Sequence, residues 1–310
     1  MKPNSISAKP WGADLQPFPI LATAVVPWTE KLEFDEEKFR REVQAIALGL
    51  TPHIYVFGTA GEGYAVSGSQ FDQIAAALWK CKSDFGVRPM LGVISLSLST
   101  IIERIERGRA LGFREFQISL PSWGALNDRE LARFFAETCG RFPDCHFLHY
   151  NLARSRRLLI AAEYRRLSDV HPNLVAVKTS IADPGQIRDF LTTVPGIKFF
   201  LTEFGYIEGR KLAPCGLLIS LASVNYALAR EFVQGNDAFR ALAEADLKVM
   251  MAALMAVSKE KFHMDGSYDK MLFRVSHPWF PLRMLSPYEC APEEAFQKFI
   301  SALPARWKPA

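Results

Sequence analysis

Residues 174–180 read Leu-Val-Ala-Val-Lys-Thr-Ser, and the fold class follows from how that stretch is read. Leu174 to Val177 form a short apolar run rich in β-branched side chains. That is the pattern of a strand buried on both faces, as in a parallel sheet covered by helices. Lys178 stands where the run ends. Burial without a partner disfavours an ammonium. The side chain therefore closes an ion pair, snorkels to solvent, or carries a lowered pKa that leaves a nucleophilic amine. Such an amine condenses with ketones and aldehydes to a Schiff base.

Outward from this strand, apolar runs and helical spacings alternate. Strand patterns occur at 20–26, 54–57, 89–94, 115–120, 146–150, 174–178, 197–202 and 217–221. Helical patterns follow them at 36–48, 70–82, 99–111, 128–139, 161–168, 184–192, 205–212 and 224–233. Eight such units with short connections predict an α/β fold, a (β/α)8 TIM barrel, although periodicity alone also admits an open doubly wound sheet. Residues 1–18 carry Pro3, Pro10 and Pro17 without periodicity and are expected to form an irregular N-terminal arm, with the catalytic barrel over 19–236. Residues 237–310 are expected to add a C-terminal helical extension. It would hold one long helix at 238–257, a Pro- and aromatic-rich loop at 277–287 and a last helix at 292–302.

Composition narrows the class. Of 310 residues, 49% are hydrophobic and 23 are phenylalanine, enough apolar surface for a large core, while 23% are charged, near the globular average. The net charge of +4 is spread along the chain. Its densest basic cluster, Arg154, Arg156, Arg157, Arg165 and Arg166, reads as a solvated face or a subunit contact, and nothing asks for nucleic acid. No segment reaches the ~18 uninterrupted apolar residues of a membrane span. With no leader pattern at the start, a cytoplasmic location is expected. Cys81, Cys139, Cys145, Cys215 and Cys290 are odd in number and include no CxxC pair, so reduced thiols are expected rather than disulfides or a zinc site. His146 and His149, three apart on one strand, point to opposite faces, and no metal site is expected.

In a barrel the C-terminal strand ends share one face, and that face holds the chemistry. Here the ends run into Gly58-Thr59-Ala60-Gly61-Glu62-Gly63, Tyr150-Asn151, Lys178-Thr179-Ser180 and Ile219-Ser220. Glycines let backbone N–H groups approach a ligand carboxylate. A phenol and a hydroxyl can move protons. Together with an amine nucleophile they fit Schiff-base chemistry on a 2-oxo acid: the lysine attacks the ketone, the iminium withdraws electrons, and the adjacent carbon loses a proton or a bond.

These residues resemble the pyruvate-dependent class I aldolases and lyases typified by dihydrodipicolinate synthase and N-acetylneuraminate lyase. Gly58-Thr59-Ala60-Gly61-Glu62 is similar to that family's G-[TS]-T-G-E loop, Tyr150-Asn151 to its Y-N pair and Val177-Lys178 to its lysine strand. The 28 positions between Tyr150 and Lys178 (178 − 150) match its spacing. The likeness runs from Pro19 to Val233. It implies Lys178 as the Schiff-base lysine, Tyr150 as the general acid/base and Thr59 as its relay. The backbone at Ala60 and Gly61 would hold the carboxylate, with Ile219 lining the pocket and Glu62 bracing the loop. Asn151, Arg154, Ser155 and Trp123 are the further substrate-side candidates.

Departures from the family pattern shape the expected activity. Ala60 lacks the second hydroxyl of the loop, Leu120-Pro121-Ser122-Trp123 offers no tyrosine to a neighbouring subunit, Ser155 stands where dihydrodipicolinate synthases carry arginine, and Ala153 replaces the usual proline. Lysine biosynthesis is therefore not expected. Trp123 with Ala60 is similar to hydratase-aldolases acting on aromatic pyruvate derivatives. The resemblance implies a class I lyase joining or cleaving a 2-oxo acid and an aldehyde, with no cofactor, assembled as a tetramer of two dimers. A dehydratase of 2-oxo-3-deoxy sugar acids and a non-catalytic 2-oxo-acid-binding barrel are the alternatives.

Overall fold

Each expected apolar run pairs with its neighbours as a parallel strand, and the ring of strands closes. The computed structural model describes residues 19–258, 262 and 264–308, so the expected N-terminal arm lies outside the described residues. The strands are β1 (Ile20–Thr23), β2 (His53–Val56), β3 (Arg88–Gly92), β4 (Glu115–Ile118), β5 (His146–Asn151), β6 (Leu174–Thr179), β7 (Lys198–Leu201) and β8 (Gly216–Leu218). They are hydrogen-bonded in sequence order, and β8 returns to β1 through the Ile20–Leu217 and Leu21–Leu218 pairs. Helices α1 (Glu36–Gly49), α2 (Gly68–Phe85), α3 (Leu98–Leu111), α4 (Asp128–Phe135), α5 (Ala161–Val170), α6 (Pro184–Thr193), α7 (Glu203–Gly209) and α8 (Tyr226–Gln234) alternate with them. Three more follow: α9 (Asp237–Ser258), α10 (Asp265–Ser276) and α11 (Glu293–Ala302). The chain is a TIM barrel with additional C-terminal helices.

Alternation along each strand divides the core in two. Leu21, Tyr55, Met90, Leu148, Ala176, Phe200 and Leu218 point inward and fill the barrel. Their neighbours Ala22, Ile54, Leu91, Phe147, Val177, Leu201 and Leu217 point outward into the much larger layer between sheet and helices.

Several elements differ from the expected bounds for identifiable reasons. β1 stops at Thr23 because the Val25 N–H donates to Glu42 Oε1, 2.7 Å away, and leaves the ladder. β2 stops before Phe57, whose φ of +64° breaks the extended backbone. That strained turn is enclosed by glycine: a Cβ on Gly92 would lie 2.3 Å from the Phe57 carbonyl oxygen. β8 is only three residues long because the Ser220 and Ala222 N–H groups donate to Glu203 Oε1. Asn225 accepts from the Leu228 N–H and so starts α8 two residues later than its apolar spacing suggests. The C-terminal end of the helix expected at 128–139 becomes a π turn, Ala136–Gly140. The largest difference is α10, which the sequence pattern does not mark at all.

One outward-facing residue makes stability pH-dependent. His149 is 1% exposed, its Nδ1 lies 2.7 Å from the Tyr164 hydroxyl, and its Nε2 has no hydrogen-bond partner among the described residues. Burial pushes its imidazole down to about 3. As pH falls below the ordinary 6.5, the unfolded chain takes up the proton first. This contribution to stability is therefore complete above 6.5 and is lost as pH falls toward 3, amounting to about 2 kcal/mol at pH 5. Melting curves at pH 7 and pH 5 should differ in Tm, and His149→Leu should narrow the difference; an unchanged difference would contradict the assignment.

Candidate active site

Lys178 lies near the C-terminal end of β6, paired across the sheet with Tyr150 of β5 and Phe200 of β7. It is 1% exposed. Its Nζ donates to the Tyr55 hydroxyl at 2.9 Å and sits 4.0 Å from the Tyr55 ring centroid and 3.9 Å from that of Tyr150. Burial pulls its pKa well below 10.5, although Asp265 and Asp269 act in the opposite direction. That shift favours the neutral amine over the ammonium.

Both tyrosines are kept protonated. Burial raises the Tyr55 phenol well above its usual value, and the neighbouring Tyr150 adds to the effect; Thr23 offsets it in part. Burial likewise raises Tyr150, with Asp265 reinforcing the shift and the Thr59 side chain opposing it. Thr59 itself is buried at the top of β2, on the loop that begins at Gly58. Only glycine fits position 58, since a Cβ there would lie 2.7 Å from the Tyr55 ring and 3.2 Å from Lys178 Nζ.

These groups open onto a cavity of about 430 Å³ lined also by Thr23, Ala60, Arg154, Ile219, Ser220, Tyr268 and Asp269. The structure therefore brings Lys178, Tyr150, Thr59, Ala60, Ile219 and Arg154 together. Four other candidates lie elsewhere. Trp123 is 84% exposed and is not among the lining residues. Asn151 braces the chain beyond β5, donating to the Leu159 carbonyl and accepting from the Leu159 N–H, both at 2.9 Å. The Ser155 hydroxyl donates to the carbonyls of Leu152 and Arg157. Gly61 packs beneath the loop, where a Cβ would meet the Phe57 nitrogen at 2.7 Å.

Among the lining residues that sequence reasoning missed are Tyr55, Asp265, Tyr268 and Asp269. The last three come from α10, whose first turn lies over the barrel mouth. Asp265 accepts both Arg154 Nη atoms, at 3.0 and 2.9 Å. Lys270 anchors the helix. Fully buried, it donates to Glu62 Oε1 and to the Arg283 carbonyl, while Glu62 also accepts from Trp28 Nε1 and the Leu285 N–H at 2.7 Å. Glu62 thus ties the Gly58–Gly63 loop to α10, the bracing role expected of it.

The basic cluster is largely neutralised. Besides the Arg154 pair, Arg157 bonds Asp128 and Glu163, and Arg165 bonds Asp169. Among the described residues no group of three or more His, Cys, Asp or Glu is arranged to hold a metal ion, and no helix is long and apolar enough to cross a membrane.

The closed (β/α)8 barrel thus holds a desolvated lysine between two phenols at the C-terminal mouth of its strands, the face on which barrels of this kind carry their sites. Residues 17–200 match the dihydrodipicolinate synthetase family, and the chain belongs to that family. Over 151 residues it is 29% identical to the 4-hydroxy-tetrahydrodipicolinate synthase of Thermus thermophilus, a match covering 48% of this chain and 50% of the relative. The chain spans about half the length of the curated relatives it matches. Among solved structures it resembles YagE, a prophage protein of the dihydrodipicolinic acid synthase family from E. coli K12 in complex with pyruvate. The TM-score is 0.80 at 15% identity, covering 91% of this chain and 96% of that one. N-acetylneuraminate lyase from Proteus mirabilis gives a TM-score of 0.78 at 15% identity, covering 92% and 97%. At these identities the likeness speaks to the fold.

Proposed function

We propose that the protein is a class I lyase that forms or cleaves a carbon–carbon bond between pyruvate, or a related 2-oxo acid, and an aldehyde. One observation carries this reading: Lys178 Nζ, 1% exposed and held below its ordinary pKa, lies between the Tyr55 and Tyr150 rings beside an open cavity. Membership in the family supports it. The neutral amine attacks the ketone, and the resulting carbinolamine loses water with a proton from Tyr150. The iminium then drains electrons from carbon 3, giving an enamine that either adds to the aldehyde or is released by cleavage of the bond to it. Tyr150, with Thr59 beside it, shuttles the protons. The backbone at Ala60, which lines the cavity, holds the carboxylate; Gly61, expected to share that role, is not among the lining residues. A cytoplasmic homotetramer belongs to the same proposal; exposed apolar side chains at Leu158 and Ile160 support an assembly of subunits.

Intact-protein mass spectrometry after incubation with pyruvate and borohydride tests the first step. One adduct of reduced-pyruvate mass per chain is expected. Absence of an adduct with pyruvate and with longer 2-oxo acids would overturn the proposal in favour of a non-catalytic barrel. Product analysis then separates bond cleavage, which releases pyruvate and an aldehyde, from dehydration, which keeps the carbon skeleton whole.

A further inference from the structure

Most of the side chains that fill the barrel are apolar. Gln117 of β4 is an exception. Its neighbours Phe116 and Ile118 point outward into the helical layer, so Gln117 points inward, level with its ladder partners Gly92 of β3 and Leu148 of β5. It is 0% exposed, and neither its Oε1 nor its Nε2 has a hydrogen-bond partner among the described residues. A buried amide left unpaired opposes folding, and a leucine of similar volume would not. Packing therefore gives no reason for glutamine at this position.

Its surroundings give one. A Cβ on Gly58 would lie 3.6 Å from Gln117 Oε1 and 3.2 Å from Lys178 Nζ, so the carbonyl oxygen and the amine border the same point, which glycine leaves unfilled. Lys178 lines the catalytic cavity and Gln117 does not, so the amide approaches Nζ from the side away from the cavity. The Tyr55 hydroxyl already accepts one N–H of Nζ, at 2.9 Å. A neutral amine has two N–H bonds and one lone pair. With Tyr55 holding one N–H and Gln117 the other, the lone pair takes the remaining tetrahedral direction, away from both acceptors. An amide suits this task. It accepts a hydrogen bond at any pH without carrying charge, whereas a carboxylate in its place would stabilise the ammonium and remove the lone pair.

We propose that Gln117 is a positioning residue: its Oε1 accepts the second N–H of Lys178 and holds the amine with its lone pair facing the cavity, ready to attack a ketone. A turn about the glutamine side-chain torsions brings the two atoms together. This inference rests on the Schiff-base reading above and adds to it a residue outside both the cavity lining and the strand-end motifs.

Gln117→Leu separates this role from packing, because the two predict opposite signs. The leucine variant should melt at or above the wild-type Tm, since it removes two unpaired buried polar atoms. With borohydride in excess it should nevertheless trap pyruvate roughly tenfold more slowly, the scale of one hydrogen bond. Gln117→Glu gives a second readout. A carboxylate facing Nζ favours its charged form, so the pH at which the trapping rate is half-maximal should rise by at least about one unit. Tyr55, Tyr150, Asp265 and Asp269, the ionisable groups beside Lys178, are unchanged in that variant, so the shift reports on position 117. Trapping at the wild-type rate in Gln117→Leu, or an unmoved pH midpoint in Gln117→Glu, overturns the proposal while leaving the Schiff base intact. A leucine variant that melts well below wild type would make Gln117 a structural residue and overturn it as well. Absence of any adduct in wild type, with longer 2-oxo acids included, overturns the Schiff-base reading and this inference with it.

Discussion

Lys178→Ala is expected to abolish the borohydride-trapped pyruvate adduct and to lower turnover by at least about 10³-fold, the scale on which removal of a covalent nucleophile acts. Lys178→Arg should fare no better, because a guanidinium stays charged and has no free electron pair for the ketone. Loss of activity alone would also follow from misfolding, and the energetics of this lysine supply the control. Its folded pKa lies well below 10.5, chiefly through burial. Between that lowered value and 10.5 the unfolded chain binds the extra proton, so the lysine opposes folding throughout that window and stability rises with pH across it. Lys178→Met removes this opposition and keeps most of the side-chain volume. At pH 7 the methionine variant should therefore melt at or above the wild-type Tm while forming no adduct. A covalent adduct in Lys178→Ala at the wild-type level would move the chemistry to another amine. A methionine variant that melts well below wild type would show that the amine is a structural ion rather than a desolvated nucleophile.

The route from sequence to this lysine was direct because the signals are local. Val177-Lys178 ends an apolar run, Gly58 to Glu62 follows another, and Tyr150 ends a third. Once eight alternating units imply a barrel, these three strand ends must meet. Tyr55 was hidden for a reason of phase. Ile54, Tyr55, Val56 and Phe57 are all apolar or aromatic, so the run announces a strand without saying which residues face inward. Only the register with β3, in which Tyr55 pairs with Met90, puts its phenol inside beside Lys178. α10 was hidden more deeply. Its first turn, Asp265-Gly266-Ser267-Tyr268, is polar and contains glycine, and its helical character is fixed by what it docks against. A Cβ on Gly266 would approach the Ala60 carbonyl oxygen to 3.0 Å, so the helix fits only where it touches the loop beside the cavity. Trp123 shows the converse. An aromatic residue in a loop near a motif invites a stacking role, yet at 84% exposure it contacts solvent rather than the cavity.

Lys270→Ala is expected to destabilise the fold by about 3–5 kcal/mol, the range found when one member of a fully buried ion pair is removed. Lys270 and Glu62 are both 0% exposed, and the ammonium is held down from its ordinary pKa by burial while Glu62 draws it back up. Without Lys270 the Glu62 carboxylate keeps, among the described residues, two neutral donors, Trp28 Nε1 and the Leu285 N–H, in a fully buried site. The effect should extend beyond stability. Lys270 follows Asp269 directly, and Glu62 closes the loop that carries Thr59 and Ala60, so one ion pair fixes both walls of the cavity. Urea denaturation followed by tryptophan fluorescence would give the stability loss, and pyruvate trapping on the folded fraction would report on the cavity. The double variant Glu62→Gln with Lys270→Met is the decisive comparison. A neutral amide can still accept from Trp28 and Leu285, and methionine fills the lysine's volume without a charge. Recovery of most of the lost stability in that variant would show that the single substitution is costly because it strands a buried carboxylate. If Lys270→Ala costs less than about 1 kcal/mol, the pair is wetter than its burial implies, and α10 must be held over the barrel by its apolar face, Met271, Leu272 and Val275, instead.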